Sequence, residues 1–313
     1  MGLSSSLSAA AAAQRMHHHA SIFRTASLLP LTALKNQLEA SPTQNTSISY
    51  TNLTHPILST NSPVPKPKSL LPPKRVLIIR HGQAQHNPRA EASREAGCSF
   101  DEFLKLMELD DTYDAELTSL GKKQAHATRD SFSLSDIKMV ISSPLSRALQ
   151  TADLIHPPSP STRRVAIEHF REINGKLLNA QRRPRSDLEK RFPHWCFHEI
   201  PELDESWTDE LETHEDCSER GYRGLLWVLK QPEESVLLVG HGGLLNHMMN
   251  GHENVVLVDG RQPNVDSESE SRCITKRFGN CELREFIITA WDNSANQRDP
   301  VITLEEITLS MKA

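Results

Sequence analysis

The five cysteines of this 313-residue chain (Cys98, Cys196, Cys217, Cys273 and Cys281) are scattered, odd in number and include no Cys-x-x-Cys pair. That pattern argues against a disulfide framework or a zinc site and makes a reducing compartment the default. The chain also lacks any apolar run near the roughly 20 residues that span a bilayer. Its longest, such as Val236 to Val239, are the size of a core strand, so no transmembrane segment is expected. Nor is there a basic excess. A formal net charge of -5 gives no electrostatic footprint for nucleic acid.

A more local absence marks the N-terminus. No Asp or Glu occurs before Glu39, while Ser, Ala, Thr and Pro dominate and Arg15, Arg24 and Lys35 supply charge. This acid-poor, Ser-rich composition has two readings, a plastid or mitochondrial transit leader or a disordered tail. The apolar residues between Ile22 and Leu38 suit an amphipathic helix and favour the first. A third reading, N-myristoylation at Gly2 with Ser6 in place, ranks behind both. His17, His18 and His19 in such a tail are poor evidence of a metal site. The Pro63–Pro67 stretch and Pro72-Pro73 form an extended linker. Residues 1–72 are therefore expected to be a leader and 73–313 a single catalytic domain, cytoplasmic or organellar. Oligomeric state is not readable.

What is present begins at Val76-Leu77-Ile78-Ile79, a strand buried on both faces, which ends on Arg80-His81-Gly82. An imidazole beside a guanidinium at a strand end suits attack on phosphorus: the planar fork holds the oxygens and the ring nitrogen is the nucleophile. Gly82 lets the backbone come close to whatever it cradles. A loop follows, then a helix over Phe100–Leu109 with Phe103, Leu104, Met107 and Leu109 as its contacts, and a second helix capped by Thr118 and running towards Ser131. Ile137–Ile141 is a second strand. After it, Ser143 as N-cap and Pro144 at the first helical position start a helix whose core face is Leu145, Ala148, Leu149 and Ala152. Arg147 then lies in the first turn, where an anion is welcome.

A third strand, Arg164–Ile167, leads to His169-Phe170-Arg171-Glu172. Arg182 and Arg183 follow, and an aromatic-bearing loop covers Pro193 to Trp207. A helix is expected over Glu219–Leu229. Ser235–Val239 is again an aliphatic strand, and it ends on Gly240-His241-Gly242-Gly243. Two strands that each deliver one histidine to a glycine-lined turn are far more specific than either alone. As an imidazolium, His241 would neutralise charge on a phosphoryl oxygen in the transition state. Val256 to Arg272 reads as a polar surface insertion, and Phe286 to Thr289 as a last strand, with Cys281 in the core.

The series Arg80-His81-Gly82, Leu117-Thr118-Ser119-Leu120-Gly121, Ser142-Ser143-Pro144-Leu145-Ser146-Arg147-Ala148, a loop glutamate and Gly240-His241-Gly242 resembles the phosphoglycerate mutase-like branch of the histidine phosphatase superfamily. The resemblance spans Lys74 to Thr289. It implies a three-layer α/β/α sandwich with a mostly parallel sheet and a site at the carboxyl ends of the strands. It implies that His81 becomes phosphohistidine while Arg80, Asn87, Arg147, His241 and the Gly242 turn hold the phosphate. Glu172 would be the acid that protonates the leaving alcohol and then the base that activates water, with Glu168 and Glu199 as alternatives. Partial burial and the phosphate charge are expected to raise its pKa. The insert after the acid often forms a lid in this fold, which makes Arg182, Arg183 and the Pro193–Trp207 loop candidates for substrate contact. Neither a metal nor a cofactor is called for.

Ile173-Asn174-Gly175 stands where the mutases carry His-Tyr-Gly, which favours a phosphatase over a mutase. The acid-phosphatase branch takes its acid from a His-Asp pair, whereas Gly242 follows His241 here. A non-catalytic phospho-ligand binder is the remaining alternative. The substrate expected is a small anionic phosphorylated compound.

Overall fold

The computed structural model describes residues 68–110, 112–258, 275–293, 299–309 and 311. The leader through residue 67, with Gly2, the three histidines and the Pro63–Pro67 stretch, lies outside them, as do residues 259–274. Seven strands form one sheet: β1 (Lys74–Arg80), β2 (Met139–Ser142), β3 (Arg163–Ala166), β4 (Ser235–Gly240), β5 (Val255–Val258), β6 (Leu283–Trp291) and β7 (Val301–Ile307). Their order is β3-β2-β4-β1-β6-β7-β5. The pairs β3/β2, β2/β4, β4/β1 and β5/β7 are parallel, and β6 runs antiparallel to β1 and β7.

Helices cover both faces, as alternation along a buried strand requires. Val76 and Ile78 of β1 pack with Tyr222 and Leu225 of α6 (His214–Leu229) and with Leu245 and Met248 of α7 (Gly242–Asn250). Leu77 and Ile79 point the other way, to Ala125 of α3 (Ser119–Ser131) and to Ala148, Leu149 and Ala152 of α4 (Ser146–Ile155). Full burial of each such aliphatic side chain contributes about 1.5–3 kcal/mol. The result is the expected three-layer α/β/α sandwich.

Several local expectations change. The loop after Arg80-His81-Gly82 contains a helix, α1 (Asn87–Glu95), which buries only Asn87, Ala90 and Ser93. The next, α2 (Phe100–Glu108), buries Met107 and leaves Leu109 exposed beyond its end; Ser99 and Glu102 form its capping box. Thr118 caps α3 as expected, its hydroxyl accepting from the Gly121 amide at 3.0 Å. The start of α4 is displaced: Leu145, not Ser143, is its N-cap, and the Ser146 amide donates to the Asp114 carboxylate at 2.8 Å. A buried carboxylate thus takes the capping part that the sequence gives to Ser143.

The aromatic loop turns two of its rings inward. Trp195 and Phe197 are buried in the α3/α4 face of the core, behind the short helix α5 (Arg185–Arg191). Helix α6 begins five residues before the expected Glu219, with Thr213 as its cap. Val256–Val258 is not part of an insertion but lies within β5, which pairs with β7 beyond the last expected strand. At the other end, the Leu70 amide donates to Ala290 O at 2.9 Å, so the last leader residues are fastened to β6. Among the described residues no helix is long and apolar enough to cross a membrane.

Candidate active site

Parallel register does most of the assembly. Arg80 of β1 stands opposite Gly240 of β4, so the next residue of each strand, His81 and His241, emerges at the same edge. Their ring centroids lie 4.9 Å apart and both side chains are buried. Strand β2 is aligned with β4 through Ser142↔Val239, which carries the following turn, and Arg147 at its end, to the same place. The Thr151 hydroxyl locks the two segments together. It accepts from the Gly82 amide at 3.1 Å and donates to Arg147 O at 2.7 Å.

The hydrogen bonds of His81 fix its tautomer. Nδ1 lies 2.6 Å from the Gly82 carbonyl, which only accepts, so the proton is on Nδ1. Arg147 Nε donates to His81 Nε2 at 3.3 Å, which leaves a lone pair on the nitrogen that faces the arginine. Burial, then the charges of Arg147 and Arg80, lower the His81 pKa well below the ordinary imidazole value. His81 is thus a neutral imidazole with its Nε2 lone pair directed at the Arg147 guanidinium.

Arg147 is completely buried. Its Nη1 donates to Asn179 O at 2.6 Å, while Nη2 has no partner among the described residues. Burial lowers its pKa to about 10, so it stays cationic at neutral pH. Arg80 donates through Nη1 to Phe278 O at 3.1 Å and keeps Nε unpartnered.

His241 is buried with both ring nitrogens unpartnered among the described residues. The expected imidazolium is not its resting form: burial, followed by the Arg147 charge, lowers its pKa well below the imidazole range. An arriving dianion opposes that arginine charge and favours protonation.

Glu172 reverses an expectation too. Its Oε1 accepts from the Ile173 amide at 3.0 Å and the Leu244 amide at 2.9 Å, and Oε2 from the Gly243 amide at 3.2 Å. Burial raises its pKa most of any single cause, yet those amides and the charges of Arg277 and Arg147 together outweigh it. The net shift is downward, so the resting carboxyl is ionised rather than protonated. The first turn of α7 is the anion site that holds it. A Cβ on Gly243 would lie 2.3 Å from Glu172 Oε1, so a larger residue there would push the carboxylate off its amides.

The remaining candidates take other places. Gly82 admits protein rather than ligand, since an added Cβ would meet the Gly121 carbonyl at 2.6 Å. A Cβ on Gly242 would lie 3.1 Å from Arg80 Nε and 3.4 Å from Arg277 Nε, so Gly242 makes room for two guanidinium groups. Asn87 fastens its own loop: Oδ1 accepts from the Ala84 amide at 2.8 Å and Nδ2 lies 3.2 Å from His86 Nε2. Of the alternative acids, Glu168 is paired with Arg171 and Arg182, and Glu199 with His198.

Arg182 does not reach for a substrate. Its buried guanidinium binds Glu168 at 2.6 Å and the carbonyls of Pro201, Arg183, Glu202 and Leu203. It staples the insert to itself. Arg183 stacks 5.2 Å from the Tyr113 ring centroid and pairs with Asp114 at 3.3 Å. Arg182→Ala therefore costs about 1–3 kcal/mol of folding free energy, because it leaves Glu168 to Arg171 alone and takes the donor from four carbonyls. Urea unfolding of parent and variant checks this; a change below about 1 kcal/mol would leave Arg182 free to contact a substrate.

Two groups at the site escaped sequence reasoning. His86 is buried, its ring 6.1 Å from that of His81. Arg277 stands over Gly242 beside Arg80. The signal that finds them is pairing. Among the described residues every arginine is in an ion pair with a carboxylate except Arg80, Arg89, Arg94, Arg147 and Arg277. Four of these five act electrostatically on Arg80, Glu172 or each other. A phosphate site requires cations left without protein partners.

The parallel strands bring two histidines and an arginine without a carboxylate partner to one edge, an arrangement suited to a phosphoryl group. The family model for the histidine phosphatase superfamily (branch 1) matches residues 76–283, and the chain belongs to that superfamily. It is 32% identical over 263 residues to phosphoglycerate mutase-like protein 1 of Arabidopsis thaliana, covering 74% of this chain and 86% of that one. It is 23% identical over 215 residues to the uncharacterized phosphatase PhoE of Bacillus subtilis, covering 67% and 89%. Among solved structures, a mycobacterial glucosyl-3-phosphoglycerate phosphatase is 16% identical, with a TM-score of 0.40 over 76% of this chain and 100% of that one.

Proposed function

We propose that this protein hydrolyses phosphomonoesters of small anionic compounds through a phosphohistidine on His81, with residues 73–313 as the catalytic domain. The observation that carries the reading is the His81 tautomer, Nδ1–H held by the Gly82 carbonyl and the Nε2 lone pair set against Arg147. In the first step Nε2 attacks phosphorus and the bond from phosphorus to the ester oxygen breaks. The Gly82 carbonyl steadies the positive charge that the ring acquires. Arg80, Arg147 and His241 hold the three non-bridging oxygens, and binding a dianion raises the Glu172 pKa, so that Glu172 delivers a proton to the leaving alcohol. In the second step water attacks phosphorus, Glu172 takes its proton, the N–P bond breaks, and phosphate leaves with His81 neutral again.

Proton delivery is testable by leaving group. Glu172→Ala lowers kcat/KM for alkyl phosphates by about 10²–10⁴. The same variant loses far less on p-nitrophenyl phosphate, whose phenolate departs unprotonated. Alanine is preferred to glutamine, whose amide N–H groups would face backbone donors. Equal losses on both esters would remove Glu172 as the acid.

Transfer to a second hydroxyl is the competing reading, favoured by the name of the Arabidopsis relative. Against it, the Asn174 that follows Glu172 is spent on local structure, its Nδ2 donating to Ser206 O at 2.6 Å and its amide to Glu212 at 2.9 Å. Phosphate release without exchange between the 2- and 3-positions of phosphoglycerate is expected; exchange faster than release would establish the mutase.

A further inference from the structure

Buried nitrogen atoms without a hydrogen-bond partner are rare in folded proteins, because a donor that loses water and gains nothing is costly. Several here gather at one place. Arg80 Nε, Arg147 Nη2, both ring nitrogens of His241 and Nδ1 of His86 are buried with no partner among the described residues. Arg80, Arg147 and His241 belong to the phosphoryl cradle. His86 has no part in either step of the reaction as written.

Its position ties it to that cradle. Only 7% of the residue is exposed, and its ring centroid lies 6.1 Å from that of His81. The charges that act on it are those of Arg147, Arg80 and Arg94, all cationic, and it acts in turn on both His81 and His241. His86 therefore stands among the groups that receive a dianion.

Asn87 decides which ring nitrogen carries the proton. Its Oδ1 accepts from the Ala84 amide at 2.8 Å, which turns Nδ2 to His86 Nε2 at 3.2 Å. An amide nitrogen only donates, so Nε2 accepts and the proton of the neutral ring is on Nδ1. Burial and the arginine charges keep the ring neutral. The partnerless nitrogen of His86 is thus an N–H donor with a fixed tautomer. The family resemblance gives the phosphate contact of this loop to Asn87, yet that side chain is spent on the loop and on its neighbour.

We propose that His86 is a further catalytic residue, whose Nδ1–H donates to a non-bridging oxygen of the phosphoryl group on its way to His81, with Asn87 as its positioning residue. This rests on the hydrolase reading in one respect, that His81 receives the phosphoryl group. Phosphoryl oxygens are strong acceptors with more lone pairs than Arg80, Arg147 and His241 fill. A neutral donor adds a contact without adding to the repulsion between the guanidinium groups.

Two substitutions in the full chain separate the donor from the clamp. His86→Asn keeps an amide N–H near the place of Nδ1 and gives up the acceptor for Asn87. His86→Gln carries an amide oxygen to the place of Nε2 and gives up the donor. Both are read by kcat/KM on p-nitrophenyl phosphate and by calorimetric vanadate affinity. His86→Gln is expected to lose about ten- to a hundredfold in each, the scale of one hydrogen bond to a charged group, and His86→Asn markedly less. Parental values in His86→Gln, or a loss in His86→Asn as large or larger, would mean that His86 only supports Asn87, and overturn the proposal.

Histidine-ring NMR of the unmutated protein decides independently of how the variants fold. His86 is expected as the Nδ1–H tautomer, its N–H proton signal moving downfield when vanadate binds. The Nε2–H tautomer, a signal unmoved by vanadate, or no vanadate binding at all overturns the contact. If the parent hydrolyses no ester while vanadate binds and moves that signal, the hydrolase reading falls and the His86 contact stands.

Discussion

His81→Ala abolishes phosphate release, with a loss in kcat of at least about 10⁴, because it removes the nucleophile and leaves only the cationic cradle. The cradle survives the change. Arg147 remains held by Asn179 O, and the Thr151 hydroxyl still ties Gly82 to α4 through backbone groups. The variant should therefore still bind phosphate or vanadate while turning nothing over. That split is diagnostic, since a residue that merely supported the fold would lose binding and thermal stability together. Steady-state release over a panel of phosphomonoesters, with vanadate titration of the same preparations, reads both halves. Residual turnover within tenfold of the parent would move the chemistry elsewhere.

The second large effect is acid sensitivity of the fold. His81, His86 and His241 are buried, and each has a pKa lowered well below the ordinary 6.5, chiefly by burial and then by the Arg147 charge. In the unfolded chain they protonate near 6.5; in the folded chain they do not. Below 6.5 the unfolded state thus binds more protons, and stability falls as pH falls.

Each histidine contributes about 1.4 kcal/mol per pH unit once the pH is well below 6.5, so the three together contribute a limiting slope of about 4 kcal/mol per pH unit. Urea unfolding between pH 7.5 and 5.5 measures the slope, and His241→Gln should reduce it by about a third. Taking the difference between parent and variant cancels every other titration. Saturating phosphate should flatten the slope too, because a bound dianion favours the protonated rings. A parent and variant with equal slopes would mean that His241 charges normally in the fold.

The parts of the molecule that the sequence announces are those with repeating apolar pattern. Val76–Ile79 and Val236–Val239 are uninterrupted aliphatic runs, and each stops on a histidine next to glycine. Once β1 and β4 pair in parallel with Arg80 opposite Gly240, His81 and His241 meet; the pattern supplies the two strand ends and the sheet supplies their adjacency. Helix α1 offers no such pattern: its buried residues are Asn87, Ala90 and Ser93, too small and polar to mark a face. Strand β7 places only Ile302 and Leu304 in the core before two glutamates. The cap of α4 comes from Asp114, 32 residues upstream, at a positive φ that no local rule assigns to aspartate.

Charge is less legible for a related reason. A guanidinium in a polar loop looks the same whether it faces a ligand or its own loop, and the partners that separate the two cases are distant in sequence. Arg182 is consumed by Glu168 and by carbonyls as far on as Leu203, while Arg277, in a less suggestive context, meets Gly242 and acts on Glu172. Burial alone points to a protonated Glu172; the three amides that fold around it, two of them 71 and 72 residues on, hold the resting carboxyl ionised.

The most direct measurement is the position of phosphorus on the enzyme. Parent protein mixed with excess substrate, quenched in base and examined by phosphorus–nitrogen correlated NMR or by peptide mass spectrometry should carry one phosphoryl group on His81, bonded to Nε2, the nitrogen opposite the one held by Gly82. Phosphorus on Nδ1, on His86 or on His241, or turnover with no phosphoenzyme at all, would contradict the site as built.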